Sequence, residues 1–288
     1  MDRDATCARH PGRPAVTVCA RCGAPACAEE LVAAPVGYQC GACVADAPPV
    51  RRLGEARATP ATRGLVAAIV GVALLTSFGA VGTRDFALVP LLVASEPWRL
   101  VSSAFLHAGL LHLGFNALLL WQLGQVLEPR VGARGMLGLS AAGMAGGGLG
   151  VVALAWLTVA TPLADVPVLG WVLATGPATA TVGASGAVFG LMGAVLGILR
   201  RRGVDPRTTP IGASVSSLVA INLVLTFAVP VISVGGHVGG LAAGFVAGLT
   251  VPPATSGRRG DTAAWGLSAA LLVVAVVLAG DLAARLLP

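Results

Sequence analysis

The chain has 288 residues, is 56% hydrophobic and only 11% charged, and has a mean hydropathy of +0.84. That composition excludes a soluble globular domain of this length and predicts a polytopic, all-α membrane protein. The net charge of +6 comes from Arg alone, and its expected partner is the anionic cytoplasmic leaflet, with no role for nucleic acid.

Residues 1–46 hold all six Cys and form a small module of their own. The pattern is Cys7-x2-His10, Cys19-x2-Cys22, Cys27-x2-Glu30 and Cys40-x2-Cys43. Ligand pairs two residues apart, with no apolar signal segment ahead of them, point to zinc in a reducing compartment rather than to disulfides. A module this short seldom folds on its apolar core, so zinc is expected to carry the fold. Residues 47–63, rich in Pro, Arg and Ala, read as a linker.

Seven apolar spans follow, near 64–82, 106–127, 135–160, 184–200, 211–229, 233–252 and 263–287. Each must be helical, because an isolated strand leaves its backbone groups unpaired in lipid. Arg51, Arg52, Arg57 and Arg63 precede the first span, and Arg130 and Arg134 lie between the second and third. Arg200, Arg201, Arg202 and Arg207 lie between the fourth and fifth, and Arg258 and Arg259 between the sixth and seventh. All fall on one side, which predicts a cytoplasmic N-terminus and an external C-terminus in the cell membrane. The external loop 83–105 is partly apolar and is expected to sit in or on the outer leaflet. The loop 158–182, also external, carries Asp165.

Two polar residues stand out in the apolar spans, where each such group is a functional hypothesis. Ser185 lies in Gly183-Ala184-Ser185-Gly186 at the start of the fourth span, and His237 lies in Gly235-Gly236-His237-Val238-Gly239-Gly240 at the start of the sixth. Gly236, Gly240, Gly244 and Gly248 make one stripe, and Gly186, Gly190 and Ala194 another. Such stripes let membrane helices approach closely, which predicts that spans four and six pack together and bring Ser185 to His237. The plainer alternative is that the glycines only pack helices and Ser185 caps its helix. A serine activated by a histidine makes a nucleophile, and with no Asp or Glu in either span a dyad fits better than a triad. Phe189, one turn after Ser185, is placed to stack on the His237 ring.

His107, His112 and Asn116 open the second span. His112 and Asn116 are one turn apart and share a face. Their donors, with the Ser185 backbone N–H, suit an oxyanion. A metal site from His107 and His112, or packing histidines, is the alternative. The remaining glycines of span three (Gly143, Gly146, Gly147, Gly150) leave open a dimer contact.

Together these residues resemble the rhomboid intramembrane serine proteases. The matching strings are Glu96-Pro97-Trp98-Arg99, His112-Leu-Gly-Phe-Asn116, Glu128 through Arg134-Gly135, Gly183-Ala-Ser-Gly-Ala-Val-Phe-Gly190 and His237-x-x-Gly240-x-x-x-Gly244. They stand in family order across about residues 64–252. The resemblance implies a six-helix catalytic bundle over 64–252, with 253–288 adding a loop and a seventh transmembrane helix. It implies Ser185 as nucleophile, His237 as general base, and His112, Asn116 and the Ser185 N–H as the oxyanion hole. His107 looks like a loop histidine near the water path, Trp98 and Arg99 like loop residues that brace the fold, and Glu128 with Arg134 like a structural pair at the cytoplasmic turn. The fifth span, carrying Phe227, would be the lateral gate. Gly236 stands where the family commonly has Ala, and Ala184 is not the Pro of inactive relatives, which favours an enzyme. The implied function is a serine endopeptidase that cleaves transmembrane segments of membrane-protein substrates within the lipid bilayer.

The head is similar to B-box-type zinc modules, in which alternate pairs share a metal. That implies one site from Cys19, Cys22, Cys40 and Cys43 and another from Cys7, His10, Cys27 and Glu30. Glu30 departs from the Cys expected there. The implied partner of the head is a cytoplasmic protein or substrate tail. The rival reading of the whole chain is a non-catalytic receptor or chaperone that binds client helices and recruits a partner through the zinc head. A transporter would require mid-span ionisable residues or an inverted repeat, and neither is seen.

Overall fold

The computed structural model describes residues 5–34, 37–46, 59–162, 176–251 and 261–287. The chain divides into two units, Met1–Arg57 and Ala58–Pro288. Residues 47–58 of the expected linker, Asp165, and the basic pair Arg258 and Arg259 lie outside the described residues.

The first unit is two short hairpins and a helical turn. Strand β1 (Thr17–Val18) pairs with β2 (Pro25–Ala26), and β3 (Leu31–Ala33) with β4 (Tyr38–Cys40), both antiparallel. Helix α1 (Gly41–Ala45) follows β4 directly. Cys19 and Cys22 occupy the turn between β1 and β2, where Gly23 takes φ +74° and donates its N–H to the Cys19 carbonyl at 2.9 Å.

The second unit is helical. Its elements are α2 (Pro60–Ser77), α3 (Thr83–Phe86), α4 (Arg99–Ser102), α5 (Leu110–Ala160), α6 (Ser185–Arg201), α7 (Pro210–Ala228), α8 (Val234–Thr250) and α9 (Asp261–Leu286). Helices α2, α5, α7 and residues 262–286 of α9 are long and apolar enough to cross a membrane. The protein is therefore a multi-pass membrane protein. Helices α6 and α8 have 17 residues each, about 26 Å at 1.5 Å per residue, shorter than the ~30 Å hydrocarbon core. The largest apolar exposures, among them Leu110, Leu111 and Val231, fit a surface whose solvent is lipid.

Three of the boundaries that differ from the sequence expectation have a visible cause. The first helix begins at Pro60 rather than near 64, so the last residues of the expected linker are helical. Pro60 fills the first position, where no N–H is needed. Glu128 on α5 supplies the cap: its carboxylate accepts from the N–H groups of Ala61 (2.9 Å) and Thr62 (2.8 Å) and from the Thr62 hydroxyl (2.6 Å). Glu128, expected at the cytoplasmic turn, is thus a carboxylate on a helix N-terminus, where the dipole favours negative charge. Gly124 makes room for it, since a Cβ there would stand 2.2 Å from Thr62 Oγ1.

The second difference is at the start of the second span, where helix begins at Leu110 rather than 106; residues 106–109 are irregular and carry His107. The third is at the turn between spans two and three, which is a break inside one 51-residue run. Gly132 takes φ 78° and ψ 167° there, three residues after Pro129. That backbone is open to glycine and strained for other residues.

The core is a trio of helices in backbone contact. A Cβ on Gly244 of α8 would stand 1.9 Å from the Gly190 carbonyl of α6, and one on Gly240 would stand 2.4 Å from the Gly186 carbonyl. The C-terminal limb of α5 closes the trio. Gly143 faces Gly186 and Gly190, Gly146 faces Gly239, and Gly150 faces Gly235. The glycines of span three are spent inside the fold.

Candidate active site

Helices α7 and α8 are each capped by a side chain. Thr209 Oγ1 accepts from the Gly212 N–H at 3.2 Å, and Ser233 Oγ from the Gly236 N–H at 3.0 Å. Helix α6 is not: its N-cap is Ala184, which has no polar side chain, and Ser185 is the first helical residue rather than the cap. The first N–H groups of any helix lack intrahelical acceptors. Here they face a cavity of about 40 Å³ lined in part by Ser103, Gly183, Ser185, Ser233 and Gly236. At ~10–15 Å³ per water such a space takes about three.

The glycine trio sets α8 beside α6. The His237 ring lies on Phe189, with centroids 4.1 Å apart and planes 20° from parallel. Phe189 is itself buried, so the ring beneath His237 is fixed, one turn beyond the Ser185 hydroxyl. Among the described residues no hydrogen bond joins Ser185 to His237. His237 Nδ1 is engaged by Thr226 Oγ1 of α7, at 2.6 Å. Thr226 went unremarked in the sequence, being a single hydroxyl in an apolar span with no motif around it.

His112 reaches the same place from α5. Its Nδ1 accepts from the Ala108 N–H at 3.3 Å, which leaves the ring proton on Nε2. The ring lies against Gly183: a Cβ at Gly183 would meet His112 Cε1 at 2.6 Å and Nε2 at 2.7 Å. Gly183 also has φ +128°, and its N–H is held by the Ser103 carbonyl at 2.9 Å. Asn116 is buried, and its amide donates to the His112 carbonyl at 2.8 Å, leaving its second N–H for another acceptor. His107 packs its ring 5.1 Å from that of His112, and both of its nitrogens are buried with no hydrogen-bond partner among the described residues.

In the loop before α5, Arg99 is buried and acts as a clasp. It donates to Glu96 (2.6 Å) and to the Arg84 and Ala87 carbonyls (2.7 and 2.8 Å). Trp98, next to it, is half exposed. The loop is tied to the segment before Ser185 by a bridge between Leu88 and Thr181.

In the head, Cys19, Cys22, Cys40 and Cys43 gather their sulfurs within 4.8 Å of one another, and Cys7, His10 and Cys27 form a second group. Cys22 and Cys40 Sγ are 3.9 Å apart, close to the ~3.8 Å edge of a tetrahedron with 2.3 Å metal–sulfur bonds. The backbone around Cys22 and Cys40 holds the Cys19 thiol down at about 6, whereas hydrogen bonds with the Cys22 and Cys40 side chains push the Cys43 thiol up to about 12, so without a metal the thiolate is favoured at Cys19 and not at Cys43. The four cysteines thus fit a metal ion. Glu30 does not join the second group. Its Oε1 accepts from the Gly41 N–H at 3.2 Å and lies 3.7 Å from Arg9 Nε.

Half-buried serine and imidazole groups on close-packed membrane helices, beside an uncapped helix start, define a class of helical membrane proteins that keep a polar site inside the fold. The chain belongs to the rhomboid family: the Rhomboid domain matches residues 94–254, more than half of it. It is similar to "Rhomboid protease GluP" of Bacillus subtilis (strain 168), 34% identical over 189 residues that cover 65% of this chain and 32% of that protein. It is also similar to "Rhomboid protease GlpG" of Serratia proteamaculans (strain 568), 58% identical over 36 residues, 12% of this chain and 13% of that protein. The aligned part of this chain therefore spans about a third of the first relative's length and about an eighth of the second's.

Proposed function

We propose that the protein is an intramembrane serine endopeptidase that cleaves transmembrane segments of membrane-protein substrates. The observation that carries this reading is the His237 ring stacked on Phe189, one turn from a serine at an uncapped helix start. Ser185 Oγ attacks the scissile carbonyl and passes its proton to His237 Nε2. The tetrahedral oxyanion is received by the Ser185 N–H, His112 Nε2–H and the spare N–H of Asn116. His237 then returns the proton to the leaving amine, and a water from the adjoining cavity repeats the cycle on the acyl-enzyme. Asn116 and Phe189 are positioned by α5 and α6, Arg99 and Trp98 order the loop over the site, and His107 lines the water path.

The fold in this reading is a six-helix rhomboid bundle over 64–252, with the break at Gly132 separating two spans and α9 as a seventh. The N-terminus is cytoplasmic and the C-terminus external, on the arginine distribution. With α6 only 17 residues long, Ser185 sits below the external surface, a depth at which only a substrate helix that unwinds can present a carbonyl. The head (1–46) holds zinc in the four-cysteine site and, more weakly, in the site of Cys7, His10 and Cys27. It serves to engage a cytoplasmic protein or substrate tail.

The test is co-expression with a single-span reporter, comparing wild type with Ser185→Ala and His237→Ala. An external-side product lost in both variants at normal membrane levels supports the reading. No product from wild type, together with no labelling of Ser185 by a fluorophosphonate, would sink it in favour of a client-helix receptor.

A further inference from the structure

Thr226 is buried at 2% exposure on α7 and meets an edge of the His237 ring whose face lies on Phe189 of α6. Its Oγ1 lies 2.6 Å from the Asn222 carbonyl oxygen, one turn back in the same helix, and 2.6 Å from His237 Nδ1. A hydroxyl has one proton to share between those neighbours. The carbonyl has none to give. Were the Thr226 proton aimed at Nδ1, two oxygens bearing lone pairs would face each other at 2.6 Å with nothing between them. The proton therefore lies toward Asn222, and the free lone pair of Oγ1 faces Nδ1. An acceptor there requires a donor on the ring, so Nδ1 carries the hydrogen and Nε2, on the other edge of the imidazole, is bare.

We propose that Thr226 is the positioning residue that fixes His237 in its Nδ1–H tautomer and so keeps Nε2 free to take the serine proton. The proposal rests on the reading of Ser185 and His237 as a dyad. A neutral hydroxyl does here what an orienting carboxylate does in a triad, without placing a charge in the bilayer. It serves both states of the base. When His237 gains the serine proton at Nε2, the Nδ1–H remains a donor and Thr226 remains its acceptor, so no group has to turn during the proton transfer. His112 is held in the opposite tautomer, with its proton on Nε2, by the Ala108 N–H. One histidine thus offers a lone pair and the other a proton.

The experiment uses the full chain in lipid nanodiscs with ring-15N histidine, comparing wild type, Thr226→Val and Thr226→Ser. The four histidines of the chain are told apart by a His237→Ala spectrum. Wild type is expected to show His237 as the Nδ1–H tautomer. Val, which keeps the shape and removes the acceptor, is expected to mix the tautomers and to lower kcat for a single-span reporter by about 10- to 100-fold, a partial loss that stops at the lower end of the ~100- to 10,000-fold attributed to a general base, with KM held. Ser is expected to restore both the spectrum and kcat to within about threefold, since it keeps the hydroxyl. A wild-type His237 in the Nε2–H form, or a folded Val variant with wild-type kcat and spectrum, overturns the proposal. If the Val variant does not fold, the wild-type spectrum and the Ser variant decide. Failure of the dyad itself reads differently: no cleavage and no fluorophosphonate labelling of wild type, whatever the tautomer of His237.

Discussion

His237 lies flat on Phe189, 4.1 Å between ring centroids, although the two residues belong to helices nearly fifty positions apart in the chain. The stack holds the imidazole by its face and leaves its two nitrogens for hydrogen bonding, of which Nδ1 meets Thr226 Oγ1. Stacked pairs of this kind contribute about 0.5–1.5 kcal/mol beyond their area, enough to fix one ring rotamer. Replacing Phe189 with Leu keeps most of the buried volume and removes the flat support. The expected result is a fall in kcat of roughly tenfold, for about 1.4 kcal/mol of lost orientation, with KM held. Steady-state cleavage of a reporter peptide measures it, and a kcat within twofold of wild type would reject the role.

Gly183→Ala strikes the other side of the site. The added Cβ would meet His112 Cε1 at 2.6 Å, and the backbone at φ +128° is one that residues with a side chain rarely adopt. Cleavage is expected to fall below about 1% of wild type, the size of loss seen when one oxyanion donor goes. Fluorophosphonate labelling of Ser185 should fall with it, while membrane levels stay normal.

Gly244→Ala tests the helix trio. Its Cβ would stand 1.9 Å from the Gly190 carbonyl, and a backbone carbonyl in a packed helix cannot swing away as a side chain can. Overpacking costs typically ~1–3 kcal/mol, and this contact belongs at the upper end. Thermal unfolding in detergent should show a lower midpoint. Gly266→Ala on α9, where an added Cβ meets nothing within 4 Å, is the matched control and should leave the midpoint unchanged.

Glu128→Ala removes both acceptors from the start of α2. The N–H groups of Ala61 and Thr62 and the Thr62 hydroxyl are buried there, and leaving such donors unmet costs ~1–3 kcal/mol. Hydrogen exchange at the first turn of α2 should quicken markedly while the rest of the bundle stays protected. Glu128→Gln, which keeps one acceptor oxygen, should lose less.

Graded chelation of the purified chain should release metal from the head in two steps. The site of Cys7, His10 and Cys27 has three ligands and should empty first, and the four-cysteine site last. Cys40→Ser should remove the tight step. Glu30→Gln should leave both steps in place, because Glu30 pairs with Arg9 and Gly41 rather than with the cluster. Metal content by atomic spectroscopy reads each case.

Much of this could be read along the chain because glycine periodicity is a local signal. The Gly186–Gly190 and Gly236–Gly248 stripes imply close approach whatever the rest of the fold does, and once they pack, Phe189 and His237 meet. The helix start at Pro60 was not legible. Its cap is a carboxylate 67 residues away, and no pattern near Pro60 announces it. Thr226 escaped for the same reason: a lone hydroxyl in an apolar span usually bonds its own helix, which Thr226 also does. Glu30 kept the spacing of a ligand but took a hydrogen-bonding role, and spacing alone does not separate the two.

The trio of α5, α6 and α8 touches backbone to backbone, and that has a consequence for how the protein can diversify. A contact made of glycine and carbonyl has no rotamers to re-sort and no volume to trade, so almost every substitution there is punished before it is tried in function. Helix α7 is the reverse: Ile221, Val224, Leu225 and Phe227 are exposed on it, and few of its residues are buried. Sequence change is therefore accommodated on the exposed face of α7, while the floor that carries Ser185 and His237 stays as it is.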